Sequence, residues 1–454
     1  MADRPGPRYR AIADALADDI RLGRVAPGTR LPTHRDLAWK LGLTVGTITR
    51  AYAEAERRGL IAGEVGRGTY VRGAAPADVA ISYAQIETPL IDLSLNFPTI
   101  AGHEHMLAQA LRRLAERNDL AELLPYQPHG GRPGDREAGA RWIGRSGLEV
   151  APDRVAVTAG GQHGIVAAFT ACAASGDSIL VESLTYPGAK AAAQMLGLKL
   201  IGVPLDDHGL QPDAFAALAR TSGAKALYCM PTLHNPTAAV MPPDRRRAVA
   251  EIAARHGIAV IEDDCYGFLV PDAPPPIMAL GIAEGVFITS LSKSMAAGQR
   301  IGYLTATGTR FERTLQGIRA TMWMANPIAA VIASDWIRDG TADRLVEERR
   351  AEAAARQAMV LDALPDARGP AGATSYHVWL RLPEPWRAHE LVAEARRRGV
   401  AVTPPSAFAV TRHAAPDAIR ICYGAAANRD ELAKGLSILT GLIAEGPEAA
   451  GAFV

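Results

Sequence analysis

Lysine is nearly missing from this chain. Of 49 basic residues only six are lysines, at positions 40, 190, 199, 225, 293 and 434, against 43 arginines. A sequence that takes its surface charge from arginine has a separate reason to hold an amine in SLSKSMAAGQRIGYL, residues 290–304. A primary amine forms a Schiff base with an aldehyde, and a guanidinium does not. Cysteine is also scarce: Cys172, Cys229, Cys265 and Cys422 are scattered without CxxC spacing. That argues against a disulfide framework or a structural zinc site and leaves each as a small core residue. Long apolar runs are absent. The longest uncharged one, ATMWMANPIAAVIAS (320–334), contains Asn and Pro and is too short to span a bilayer. The opening MADRPGPRYR has no apolar segment of the kind that directs secretion. The expectation is a cytoplasmic protein without a metal centre.

What is present describes an ordinary globular chain. Its 454 residues exceed what one hydrophobic core accommodates, so two or three domains are expected. Hydrophobic residues make up 48% and charged ones 21%, with 43 Gly and 31 Pro to supply turns. The net charge of +1 conceals an asymmetry: residues 1–72 carry 13 Arg and Lys against 8 Asp and Glu, which leaves the remainder at about −4.

That basic segment reads as three helices and a hairpin. In YRAIADALADDIRLG, Ile12, Leu16 and Ile20 recur every four residues and form one apolar stripe, with Gly23 as a stop. LPTHRDLAWKLGL offers Thr33 as an N-cap, Asp36 in the first turn and Gly42 as a C-cap. A third helix starts at Thr44 and closes at Gly59, and LIAGEVGRGTYV alternates around a Gly66-Arg67-Gly68 turn. Helices two and three joined by a short glycine-containing turn and followed by a hairpin make a winged helix-turn-helix. Over nearly all of residues 9–72 the segment resembles the GntR-type DNA-binding domain. The resemblance implies a double-stranded DNA operator as partner. Thr33, Arg35, Thr44, Thr47, Thr49, Arg50 and the wing residues Gly66, Arg67 and Gly68 are the candidates for contact. Members of that family often carry arginine at the positions held here by Val45 and Thr49, so no operator sequence carries over. Residues 73–90 show little periodicity and read as a linker.

From residue 155 onward VAVTAG, SILVESL, ALYCMPT, GIAVIEDD, GVFITSL and IGYLTA alternate with alanine-rich helical stretches, which predicts a mostly parallel sheet flanked by helices. Ligands in such sheets gather beyond the carboxyl ends of strands. Asn235, Asp263, Ser290, Lys293 and the pair Gly161-Gln162 fall there. Each alone has an ordinary reading as turn, cap or loop. Together they meet the needs of pyridoxal 5'-phosphate: Lys293 for its aldehyde, Asp263 for its pyridine nitrogen, Asn235 and Tyr266 for its ring oxygen, and Tyr186 to stack on the ring. Gly161, Gln162, Ser290, Ser292 and Arg300 serve its phosphate.

At that point SLSKSMAAGQRIGYL, EDDCYGFL, HNPT and TAGGQ resemble the fold type I aminotransferases over residues 91–446. The resemblance implies that Tyr126, in YQPHGGRPGDREAGARWI, reaches the phosphate in a partner subunit, and that Arg420, in AIRICYG, binds an α-carboxylate. His234 and Ala238 stand where that family usually has Gln or Gly before NPT and Gly after it. His163 reads as a helix-start residue.

The two halves together resemble the MocR subfamily of regulators. The implied architecture is a winged helix (1–72), the linker, and an aminotransferase-like domain (91–454) with a smaller α+β subdomain from about 331. The resemblance further implies a head-to-tail homodimer and sensing of an amino acid, an amine or a vitamin B6 form at Lys293. The alternative is a working aminotransferase with an appended DNA-binding domain, because every residue that transamination needs is present.

Overall fold

The computed structural model describes residues 7–21, 24–25, 29–57, 60–64, 68–71, 90–98, 103–369, 374–411 and 415–450. The chain divides into two compact units, Met1–Gln85 and Ile86–Val454.

The first unit holds α1 (Arg8–Arg21), α2 (His34–Leu41), α3 (Val45–Arg57), β1 (Ile61–Glu64) and β2 (Gly68–Val71). Helix α2 starts where Thr33 Oγ1 accepts the Asp36 N–H at 3.2 Å and donates to the Asp36 carboxylate at 2.7 Å. It stops at Gly42, whose φ of 62° is left-handed. Thr44 Oγ1 caps α3 by accepting the Thr47 N–H at 3.2 Å. Ile48, Ala51, Tyr52 and Ala55 of α3 close a core with Ile12, Ala13, Ala38 and Ile61. The Tyr52 hydroxyl donates to Pro32 O at 2.8 Å, which fixes the entry to α2. Strands β1 and β2 pair antiparallel, and Leu31 N–H donates to Thr69 O at 2.8 Å, so the chain before α2 adds to the hairpin. Gly68, expected in the turn, instead opens β2 opposite Glu64. The Ile20 side chain, Gly23, Gly59, Gly66, Arg67 and all of the expected linker except Leu90 lie outside the described residues.

The second unit begins with β3 (Ile91–Asp92) and builds a seven-stranded sheet. Its strands are β4 (Val155–Thr158), β5 (Ser178–Glu182), β6 (Lys199–Val203), β9 (Ala226–Cys229), β10 (Ala259–Asp263), β11 (Gly285–Ser290) and β12 (Gly302–Ala306); β7 (Leu205–Asp206) and β8 (Gly209–Leu210) form a separate hairpin. The order is β4-β12-β11-β10-β9-β5-β6. Only β12 runs against its neighbours. Six of the seven were expected from their apolar runs; β6, which opens on the exposed Lys199 and is otherwise half-buried up to Val203, was not. Helices α4 (Glu104–Ala115), α5 (Pro133–Gly144), α6 (Gly161–Cys172), α7 (Pro187–Met195), α8 (Pro212–Thr221), α9 (Pro243–His256), α10 (Arg310–Met322), α11 (Pro327–Arg338) and α12 (Thr341–Ala363) accompany the sheet.

A second sheet, β13 (Ala367–Arg368), β14 (His377–Arg381) and β16 (Ala418–Cys422), packs with α13 (Ala388–Arg397) and α14 (Arg429–Ala450), while β15 (Val400–Ala401) pairs with β3. Val331, Trp336, Leu345 and Val346 join the core of Trp142 and Phe287, whereas Val360 and later residues join that of Ile421 and Leu436. The smaller core therefore starts later than 331, because α11 buries its apolar face against α5. Among the described residues no helix is long and apolar enough to cross a membrane.

Candidate functional site

Every strand of the large sheet except β12 points its carboxyl end to the same edge, and the groups singled out from sequence converge there. Asp263 ends β10 and is buried; the Tyr228 hydroxyl donates to its Oδ2 at 2.8 Å and the Cys265 N–H to its Oδ1 at 3.2 Å. Burial raises the Asp263 carboxyl above the ordinary range, and those hydrogen bonds pull it back down. Lys293 follows β11. Its Nζ donates to Asn96 O and lies 4.4 Å from the centre of the Phe97 ring. Loss of water around the amine lowers its pKa to about 8. Tyr186 opens α7, and burial pushes its phenol up to about 12.

The expected phosphate group of residues also assembles. Gly160, with φ 80°, turns the chain into α6, whose first residues are Gly161 and Gln162. Ser290 Oγ lies 3.1 Å from Ser292 Oγ, and Arg300 Nη1 donates to Ser292 Oγ at 3.1 Å. Arg300 Nη2 donates to Ala159 O at 3.2 Å, from a backbone at φ 53°. A helix N-terminus, two hydroxyls and a guanidinium make an anion cradle. Gln162 spends its amide on Gly188 O at 2.8 Å, which leaves its backbone N–H for the cradle.

On the other side, buried Arg420 donates through Nη1 to Asn235 Oδ1 at 2.7 Å and through Nη2 to Ser94 O at 2.6 Å. Its guanidinium carbon is 4.8 Å from the centre of the Phe408 ring. Asn235 was expected to donate its amide beside Tyr266; its carbonyl oxygen accepts from Arg420, which leaves the NH2 group for that role. The amide that meets the Tyr266 hydroxyl, at 3.0 Å, belongs to Asn96. Tyr126 is not brought into this group. It is 80% exposed, with its ring 5.4 Å from that of Trp323.

In the first unit the candidates sit on the outside. Arg35, Thr49 and Arg50 are exposed, while Thr33 spends its hydroxyl on its cap and Thr44 and Thr47 share a hydrogen bond at 2.9 Å.

The comparisons with known proteins follow the same division. The model of aminotransferase class I and II matches residues 88–439, and that of bacterial regulatory proteins, gntR family, matches 8–71. The HTH-type transcriptional regulator YdeF of Bacillus subtilis is 30% identical over 443 residues, 96% of this chain and 94% of the relative. TauR of Rhodobacter capsulatus, another HTH-type transcriptional regulator, is 27% identical over 89% of this chain and 90% of its own. The crystal structure of an archaeal alanine:glyoxylate aminotransferase is similar with a TM-score of 0.75 at 26% identity, covering 82% of this chain and 96% of that one. The chain belongs to the MocR subfamily of GntR-type transcriptional regulators.

Several residues of this MocR site escaped the sequence reading. Asn96 donates to Tyr266 and also meets His377 Nδ1 at 3.1 Å, while His377 Nε2 lies 3.2 Å from His234 O. A carbonyl there requires His377 to carry its proton on Nε2, which leaves Nδ1 to accept from Asn96. Burial lowers the His377 pKa to about 3. Arg349 donates to Ser294 O at 2.7 Å and to Pro98 O at 3.2 Å, binding the lysine loop to the stretch after Asn96. Only the NF dipeptide of LSLNFP, a polar residue at the end of an apolar run, could have signalled Asn96. Cys265, expected in the core, is half-buried against the site. Ala238 adopts φ 58°, the left-handed conformation for which glycine is the usual choice. His163 does stand at a helix start, with Nδ1 accepting the Ala159 N–H at 3.1 Å.

Proposed function

We propose that this chain is a DNA-binding regulator that holds pyridoxal 5'-phosphate in its second unit and there senses a small primary amine, with Arg420 favouring an α-amino acid. The observation that carries the reading is Lys293: an amine with its pKa lowered to about 8, on the sheet edge where β10 ends in the buried Asp263 and Arg300 meets Ser292. The donor set fits the cofactor. A Cβ on Gly161 would come within 3.0 Å of Cys265 Sγ and 3.4 Å of Ser290 Cβ, so a side chain at that position would crowd the cradle and require its neighbours to shift. Asn96 Oδ1 and Arg420 Nε are buried without a hydrogen-bond partner among the described residues. When bound, the cofactor supplies an electrophilic carbon and an electron-withdrawing ring.

This chain's own residues would do the rest. Lys293, neutral in a useful fraction near pH 7 because of its lowered pKa, would take the carbonyl carbon. Asp263 would hold a proton on the ring nitrogen, and Arg300 with Ser290 and Ser292 would anchor the phosphate. Arg420 would orient a ligand carboxylate. Ligand exchange at Lys293 need favour one DNA-binding state by only about 1–3 kcal/mol to act as a switch. Leu107, Leu111, Leu124, Tyr126, Trp323 and Ile328 are large exposed apolar residues of this unit, which supports a homodimer. With Tyr126 among them, its reach to a partner's phosphate remains part of the proposal. A DNA-binding role supports a cytoplasmic location.

The test is visible absorption of cofactor-loaded protein titrated with amino acids, amines and pyridoxal forms. One compound should give a lasting spectral change and alter DNA affinity, and Lys293→Ala should lose that response yet still bind DNA. An unchanged response in Lys293→Ala would sink the proposal. A second reading, a working aminotransferase, draws on the presence of Lys293, Asp263, Arg300 and Arg420 together. Sustained turnover with an amino donor and a 2-oxo acid would favour it.

A further inference from the structure

Helix α3 turns a row of methyl groups to solvent. Val45, Thr49 and Ala53, four residues apart, are exposed on one face, with Gly46 and Arg50 in the adjacent row. Val45 is 45% exposed although it is apolar. The one hydroxyl in the row is already committed: Thr49 Oγ1 donates to Val45 O at 3.0 Å and lies 3.2 Å from His34 Nδ1. That bond turns the hydroxyl back along the helix and leaves the γ-methyl as the group Thr49 can offer outward. Thr44, just before the helix, and Thr47, in its first turn, bond one another at 2.9 Å. No Arg, Asn or Gln stands in the row to read a base edge with paired hydrogen bonds.

We infer that this row reads thymine 5-methyl groups in the DNA major groove. The inference rests on the DNA-binding reading above and specifies the bases recognised. In a helix-turn-helix the first residues of the second helix meet the base edges, and an apolar side chain finds its one apolar partner there in the thymine methyl. The surroundings suit a duplex rather than an apolar protein surface: Arg50 is an exposed cation in the adjacent row and Arg35 and Lys40 are exposed on α2, in a segment of residues 1–72 that carries 13 Arg and Lys against 8 Asp and Glu. Gly46, where an added Cβ would meet only Thr44 Oγ1 at 4.0 Å, leaves the helix backbone open for close approach.

The experiment uses the full-length, cofactor-loaded protein and a random-sequence duplex library. Selected half-sites should hold thymines at fixed positions on either strand. Replacing those thymines with uracil, which removes only the methyl, should weaken binding about fourfold per contacted methyl, the weight of one buried methyl group. Val45→Ala, at an exposed helical position where alanine is a good helix former, should shrink that uracil penalty at one position and leave the others. An enriched site that binds equally well with uracil overturns the methyl inference and leaves the DNA-binding reading standing. No enriched sequence at all overturns both.

Discussion

The two units keep their working groups at opposite depths. In the second, Asp263, Asn235, Tyr266 and Arg420 are buried and Lys293 is half-buried, each held by neighbours far away in sequence. In the first, the candidate DNA contacts on α2 and α3 are exposed, and their hydrogen bonds reach mostly three or four residues along the chain. Depth decides what each can do. A buried site shifts pKa values and discriminates one small molecule by leaving polar groups unpaired when the wrong one enters. An exposed helix face meets a large polyanion whose affinity comes from many weak, screened contacts. Substitutions should therefore cost much and act selectively in the second unit, and cost little and act evenly in the first.

Acid gives the strongest test of that contrast. His377 is fully buried, and its pKa is lowered to about 3, against an ordinary value of 6.5. The unfolded chain takes up a proton on this residue as pH falls below about 6.5 and the folded chain does not, so unfolding is favoured progressively from there down to about 3. The linkage is on the order of 5 kcal/mol at its acid limit. Among the described residues of the first unit no histidine is fully buried; His34 is half-buried, its ring 4.8 Å from that of Tyr52. Thermal unfolding followed between pH 7 and pH 4 should show this loss in the second unit, set against the buried Glu262, Asp263 and Asp264, whose raised pKa values favour the folded state as pH falls. His377→Gln, which keeps hydrogen-bonding capacity without the titration, should flatten that dependence. Equal pH slopes in the wild type and the variant would refute the assignment.

Arg420 sharpens the selective side. Two charge-assisted hydrogen bonds to a carboxylate contribute roughly 2–3 kcal/mol, so Arg420→Met should weaken an α-amino acid about 30- to 150-fold. The corresponding amine, which lacks the carboxylate, should bind with little change. Spectral titration of both ligands against both proteins measures the difference. Parallel losses would mean that Arg420 supports Asn235, to which it donates at 2.7 Å, and not the ligand.

The same division governs what could be read before any coordinates. The caps at Thr33 and Thr44 and the stop at Gly42 involve residues a few positions apart, and spacing alone exposes them. Six strands of the large sheet were legible, and β5, β9, β10 and β11, which are buried almost throughout, are written as apolar runs. Asn96 and His377 were not legible. They meet across 281 positions, and nothing in either local sequence distinguishes a network residue from a loop residue. Arg349 was hidden for a related reason: an arginine on a 23-residue helix reads as surface charge, whereas here it is buried and hydrogen-bonded to loop carbonyls. Edge strand β6 and the start of the smaller core depended on which elements pack together, and periodicity does not carry that information.

The smallest expected effect belongs to Arg50, and it separates positioning from reading within the first unit. Arg50 is exposed on α3, one position from Thr49 and four from Gly46. If it neutralises one phosphate, Arg50→Ala should weaken specific and non-specific duplexes by the same few-fold factor and reduce the slope of log affinity against log salt by about one unit. A bidentate contact to guanine would behave differently, costing the specific duplex alone and relaxing selection at one base pair. Measuring both duplexes across a salt series distinguishes the two outcomes. A uniform loss leaves sequence discrimination with the row of Val45, Thr49 and Ala53, whereas a selective loss gives Arg50 a share of it. Either way the change should be far below that of Arg420→Met, because water and salt screen an exposed charge that a buried site would not.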